Sequence, residues 1–364
     1  MNLRKPLAVA AAAAVFAGIV SLPVAPGLIY REVDRRTIRP VEQIAAEAFI
    51  PHTSILRDSL PSLSLEERVE QPARGELAIA AANERPMIRI EDAALPASRP
   101  ISEWEYARLQ ALVPIVEPIE ACAHRYGHHP VDIMQMLLLE SSAMPLAVSD
   151  TDDYGLGQLK PASYRDIARH MANPSSHLYM DRDISDMIFD PDSNVWAFCA
   201  AHALNRLKTG ITAPHELYAY YARGAPAVDR DGQLTPVGQP VADAFEKRWE
   251  YIEEILPLFA ATAPPGRGAH LVEAARSIPS TQERYGFVLD DAISYLESAS
   301  QTAPTWETVL QYTNAVQFAA TLEQVYKEDR GTTIQWLQEY GRALIPNASP
   351  DQRRLIRVFE PQHK

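Results

Sequence analysis

Cysteine is scarce: the 364 residues hold only Cys122 and Cys199. Two are far too few for a disulfide scaffold. Both fall on segments that read as helices, where two buried free thiols are the favoured reading and a disulfide, in an oxidising compartment, the alternative. Positive charge is also short. Lys and Arg number 34 against 47 Asp and Glu, a net charge of −13. That balance disfavours binding to nucleic acid or to an anionic lipid surface through a basic face. Internal repeats and low-complexity runs are missing as well. With 47% apolar residues the chain is ordinary globular protein, long enough for two domains and neither wholly disordered nor wholly embedded in membrane. Metal patterns fail on inspection. Asp150 to Gly155 begins like a calcium loop, but its fifth position is Tyr154 and its twelfth is Pro161, where a glutamate is needed. His124 and His128 stand four apart, yet Gly127 breaks the helix between them, and a polar start to the next helix is the favoured role of His128 and His129. No metal and no cofactor is expected.

What is present begins with residues 1–30. Arg4 and Lys5 precede an apolar run from Leu7 to Val24, followed by Pro26 and Gly27. This is a signal peptide or membrane anchor that sends the rest of the chain out of the cytoplasm. Ala25-Pro26 is a poor cleavage junction and no lipid-accepting cysteine follows, so a retained anchor is favoured over a cleaved signal. Residues 31–100 are rich in Pro, Glu, Arg and Ser and read as a linker with short helices. A flexible chain of that length has a reach of roughly 45 Å.

From Ile101 the texture becomes helical. Apolar residues from Trp104 to Ile119 recur at near-helical spacing as far as Gly127, with Pro114 and Pro118 expected to interrupt or kink the pattern. Pro130 then opens a strongly apolar segment ending in Glu140, a helix buried on most sides with the glutamate in its last turn. The negative end of the helix and apolar surroundings both disfavour ionisation there, which raises the carboxyl pKa. An acid kept protonated near neutral pH is what protonation of a glycosidic oxygen requires. Helices are further expected over 162–171, 190–208, 214–224 and 240–259.

The stretch from Glu140 to Pro161 resembles the first motifs of the soluble lytic transglycosylases, goose-lysozyme-like enzymes that cut peptidoglycan strands. Glu140, Ser141, Pro145, Ala147, Ser149, Gly155, Leu156, Gln158 and Pro161 fall at the family offsets without a gap. Asp152 and Asp153 replace its usual Gly-Ala, Gly157 its Met, and Lys160 an apolar residue. Asp190-Pro191 to Asn194 resembles its Asp-Pro-x-x-Asn helix, with Phe198 and Ala201 where Gly and Tyr usually follow. The run up to Gly224 resembles its Ala-Tyr-Asn-Ala-Gly element, placing Tyr221, or with one inserted residue Tyr220, on the tyrosine. The resemblance implies a mainly α, lysozyme-like catalytic domain over 101–262. It further implies Glu140 as the single acid and base, with Ser149, Gln158, Tyr221, Tyr220, Asn194 and Ser141 binding or supporting the glycan strand. The expected reaction cleaves the bond from N-acetylmuramic acid to N-acetylglucosamine and leaves a 1,6-anhydro end, needing no second carboxylate. Gly155 and Gly157 read as serving backbone geometry.

Ala263 to Gly268 is a break rich in Pro and Gly. Beyond it, helical patterns over 281–300, 305–328 and 332–344 and then a polar tail suggest a helical accessory domain over 269–364, packing on the catalytic one or binding a partner. The location implied is periplasmic and anchored, or secreted if the signal is cut. Two alternatives stand beside the transglycosylase. One is a muramidase that uses water, oriented by Asp150, Asp152 or Asp153. The other is a weakly active structural or recruiting component of an envelope-spanning machine.

Overall fold

The computed structural model describes residue 87 and residues 110–149, 151–229, 232–247 and 268–359. The N-terminal run, the linker up to residue 100 apart from Met87, Asp150 and Tyr251 lie outside them. Among the described residues the protein is mainly helical, with isolated β-bridges but no strand. No helix there is long and apolar enough to cross a membrane.

A 3-10 turn, Val113–Ile115, leads into α1 (Val116–Tyr126), which stops at Gly127 in the left-handed conformation. Helices α2 (Pro130–Ser141), α3 (Pro161–Ala172), α4 (Pro191–Thr209) and α5 (Pro214–Arg223) each begin on a proline. Proline suits that position because its missing N–H would have no helical partner anyway. Residues 239–247 are helical again and form α6. The carboxy-terminal helices are α7 (Gly268–Ser277), α8 (Thr281–Ser298), α9 (Trp306–Gln324), α10 (Gly331–Leu344) and α11 (Pro350–Val358). Helix α11 lies in what reads from sequence as a polar tail. Ser349 and Gln352 close a capping box at its start, which supplies partners for end groups that the few apolar residues could not shield.

Helix α2 is the central element of the first half. Val131, Ile133, Met134, Met136 and Leu137 are at most 1% exposed. Burial of side chains this size contributes about 1.5–3 kcal/mol each. Gln135 of α2 donates to the Phe245 carbonyl of α6, which fixes the two helices against each other. Helices α1 and α4 pack together, and Cys122 of α1 is bonded to Cys199 of α4 across 77 residues. The free-thiol reading is thereby corrected. Sequence spacing alone could not show that two helix faces bring these thiols together.

The carboxy-terminal helices share one continuous core with the first half. Helices α8 and α9 pack along their length, α8 covers the Val113–Ile115 turn, and α7 touches that turn and α1. Polar bonds cross the same seam. Arg276 reaches buried Glu120 at 2.6 Å, Arg284 reaches Glu117 at 3.2 Å, and Gln110 donates to Asp291 at 2.8 Å. Breaking one partner of a buried pair leaves an uncompensated charge, so such contacts fix how elements sit even where their net contribution is small.

Candidate active site

Glu140 stands in the last turn of α2, half-buried. The helix ends on two successive left-handed residues, Ser142 (φ 59°) and Ala143 (φ 60°). The Ser142 and Ala143 N–H groups donate back to Leu138 and Leu137, satisfying carbonyls the helix end would leave open. Left-handed backbone at non-glycine residues carries a cost and concentrates at functional segments. Ser141 points the other way. It is fully buried, and its hydroxyl donates to the Leu137 carbonyl at 3.2 Å.

The chain from 144 to 160 folds back on itself through bridges from Val148 to Tyr154 and from Tyr154 to Leu159. Gly155 (φ 74°) sits where a Cβ would meet the Asn194 amide at 2.4 Å. Its glycine is therefore required twice, by conformation and by space. Asn194 of α4 is fully buried and spends its side chain on this loop. It accepts the Gly157 N–H at 2.8 Å and donates to Ile188 O at 2.7 Å and Tyr154 O at 3.4 Å. Gln158 (φ 48°) is buried and donates to Gly155 O at 2.8 Å and Ala147 O at 3.3 Å. Ser149 donates to the Asp153 carboxylate at 2.8 Å and accepts the Asp153 N–H at 3.0 Å, and Thr151 also donates to that carboxylate.

Helix α5 brings Tyr221 to the loop, its hydroxyl donating to Gly157 O at 2.6 Å. Burial pushes its phenol well above the usual range, and the Glu140 and then the Asp153 carboxylates push it further in the same direction. One phenol thus feels both acids. Tyr220, the alternative by spacing, is half-buried, and its carbonyl accepts the Gly224 N–H at 2.7 Å.

Behind Tyr221 lies an aromatic and basic cluster that sequence reasoning missed. His202 of α4 stacks on Tyr221 at 4.5 Å, and Phe198 meets both rings edge-on, at 4.6 Å from His202 and 5.2 Å from Tyr221. His202 is fully buried, and neither ring nitrogen has a hydrogen-bond partner among the described residues. Burial first, and the Arg206 charge second, lower its pKa to about 3. His128 is held neutral by burial, Arg206 and His202, with Nε2 3.0 Å from Cys199 O. His129 instead caps α2, its Nδ1 accepting the Val131 N–H at 3.3 Å. Arg206 donates to the Gly127 carbonyl at 2.9 Å and to that of Tyr126.

An acid at a helix end, the strained loop that follows it and a tyrosine whose phenol is raised by burial and then by the Glu140 and Asp153 carboxylates form one constellation. Residues 117–237 match the family model of the Transglycosylase SLT domain. This segment is similar to an SLT domain. No curated protein matches the chain. The match covers Glu140, the loop, the α4 asparagine and Tyr221. At family level the match supports a lytic transglycosylase of peptidoglycan. Of the residues expected at the site, Gln158, Asn194 and Tyr221 are joined to the one loop, and Glu140 acts electrostatically on Tyr221. Ser149 is tied to Asp153, and Ser141 faces the core. Phe198 and His202 could have been found from one signal. Phe198 departs from the family pattern in the same chain as Gly157 does.

Proposed function

We propose that the protein cleaves the β-1,4 bond from N-acetylmuramic acid to N-acetylglucosamine in peptidoglycan and leaves a 1,6-anhydro muramoyl end. Glu140 gives its proton to the glycosidic oxygen as the C–O bond breaks, and the muramic N-acetyl group stabilises the cationic carbon. The resulting carboxylate takes the proton of the muramic C6 hydroxyl, whose oxygen attacks the same carbon and closes the ring. Glu140 is then protonated again, and the proton count balances without water or a second acid. Attack from within the sugar also avoids the entropic cost of capturing a separate nucleophile. The observation that carries this reading is Glu140 at the end of α2 beside the strained loop, with Tyr221 close enough to feel its charge. In it Tyr221 orients Glu140, Asn194 and Gln158 hold the loop, Ser149 faces the N-acetyl group, and Ser141 shapes the helix end.

One observation favours a second reading. The Asp153 carboxylate also acts on Tyr221 and is oriented by Ser149 and Thr151. Such a carboxylate could direct a water at the cationic carbon and give a reducing end, the muramidase outcome. We place the activity outside the cytoplasm, in the periplasm, with the Leu7–Val24 run as anchor. The Cys122–Cys199 disulfide supports an oxidising compartment. Residues 269–364 are assigned to a helical accessory unit that braces the SLT domain across the Arg276–Glu120 seam.

The test is a digest of purified peptidoglycan by wild type and Glu140→Gln, with soluble muropeptides read by mass. Products with 1,6-anhydro ends, lost in the variant, are expected. Reducing ends would transfer the assignment to the water mechanism, and product from Glu140→Gln at the wild-type rate would remove the glutamate from it.

A further inference from the structure

Gly157 is glycine for a reason other than backbone freedom. It is not among the residues with positive φ. A Cβ there would stand 2.4 Å from Cδ2, 2.8 Å from Cγ and 2.9 Å from Cβ of Phe198. Real Cβ atoms do not approach this closely, and Phe198 has no room to retreat because it is fully buried. The transglycosylase pattern carries methionine at the loop position and glycine on the helix. This chain carries the bulk on the helix and none on the loop. The two departures are therefore one exchange of volume across a single contact.

The exchange bears on the site through Tyr221. The peptide at Gly157 is pinned at both ends, its N–H to Asn194 of α4 and its carbonyl to the Tyr221 hydroxyl of α5. Phe198 lies against that same glycine and presents an edge contact to the Tyr221 ring, while His202 stacks on the ring's face. Paired rings of this geometry attract one another beyond what their burial alone contributes. They also leave the tyrosine little freedom to turn. We propose that Phe198 is a positioning residue for the cleavage reaction, which with His202 clamps Tyr221 so that the Gly157 carbonyl and Glu140 keep a fixed relation. The bulk at 198 thereby fills the space against Gly157 that a side chain on the loop would need. This rests on the reading of Glu140 as the acid. It also means that Gly157 is not a sign of a decayed site.

The experiment uses the full chain as wild type, Phe198→Gly, Gly157→Met, the two combined, and Phe198→Leu, with Glu140→Gln as reference. Thermal midpoints and initial rates of muropeptide release at several peptidoglycan concentrations are measured for each. Each exchange variant alone should lose at least about tenfold in kcat with KM within about twofold, and the combination should regain most of the rate. The combined variant should melt higher than the sum of the two single downward shifts would place it, because the sites touch. Phe198→Leu keeps apolar volume without the ring, and should fold while kcat still falls by about threefold or more. Additive midpoints would overturn the exchange. A folded Phe198→Leu with wild-type kcat would overturn the clamp. If Glu140→Gln proves as active as wild type, the proposed reaction fails instead, and the midpoints alone still decide the exchange.

Discussion

The two halves of the described chain are both helical but are held by different means. Residues 110–247 begin four of their helices, α2 to α5, on prolines and, among the described residues, carry four left-handed non-glycine residues, Ser142, Ala143, Asp152 and Gln158, all in the stretch that follows Glu140. Residues 268–359 begin three helices, α8, α9 and α11, at hydroxyl caps, with Ser280, Thr305 and Ser349 each accepting a backbone N–H and α11 also starting on Pro350, and among the described residues hold one left-handed non-glycine residue, Lys327. Strain and partnerless buried polar atoms persist only where surrounding structure over-determines them. The first half keeps its left-handed residues at its candidate site, whereas partnerless buried polar atoms occur in both halves, at His202 in the first and at Gln311 in the second. The lesson is that a motif of about twenty residues needs a rigid frame, and that part of the frame lies outside the family match.

If the second half serves as frame, cutting the seam should have the largest effect. Arg276→Ala removes the ion pair to Glu120, 3% exposed, and should cost roughly 3–5 kcal/mol. Urea denaturation would read it as a lower midpoint at unchanged slope. A loss below about 1 kcal/mol would mean that the halves are independent, and the comparison would have to be redrawn. Asn194→Ala should come next, at roughly 3 kcal/mol, because it unpairs the Gly157 N–H and the Ile188 carbonyl together. Peptidoglycan release should fall more than stability accounts for, since the loop would lose its anchor to α4.

The first half alone should be acid-sensitive through His202. Its folded pKa is lowered to about 3 by burial and then by Arg206, whereas the unfolded imidazole titrates near its ordinary value, about 6.5. Between those values the unfolded chain binds the extra proton, so stability is full above the unfolded pKa and falls as pH drops towards the folded one. The loss from this residue is about 2 kcal/mol between pH 6.5 and pH 5. His128, also lowered by burial, Arg206 and His202, adds in the same direction. His202→Phe keeps the stack on Tyr221, removes two partnerless nitrogens and should flatten this part of the profile. Thermal midpoints of both proteins across that pH range check it, and an equally steep slope in the variant would assign the effect elsewhere.

How far the sequence carried the reading depends on whether the cause was local. The end of α2 and the place of Glu140 follow from Pro130, an apolar run and a glutamate, and the structure puts the helix at Pro130–Ser141. Gly155 reads correctly as a backbone requirement because positive φ is a local property. Gly157 does not, because its cause is a ring on another helix 41 residues later. The Cys122–Cys199 bond and the stack of Phe198, His202 and Tyr221 were hidden for the same reason. Helix α11 escaped because its sequence, Pro-Asp-Gln-Arg-Arg-Leu-Ile-Arg-Val, offers little apolar pattern, although its cap residues were in plain view.

That cap provides the mildest and sharpest division between the halves. Ser349 accepts the Gln352 N–H at 3.3 Å, and Gln352 returns the bond by accepting the Ser349 N–H at 2.8 Å and donating to Pro304 O at 3.1 Å. Ser349→Ala removes the hydroxyl arm and leaves the glutamine arm able to form. The cost should be about 1 kcal/mol, typical of a lost N-cap. Ser349→Asp restores an acceptor at the helix start, where the dipole also favours negative charge, and should recover most of the loss. Muropeptide release should be the same in all three proteins at temperatures well below melting. If α11 only frames the first half, stability moves and kcat does not. A fall in kcat with Ser349→Ala that Ser349→Asp fails to restore would instead place part of the working surface on the carboxy-terminal helices.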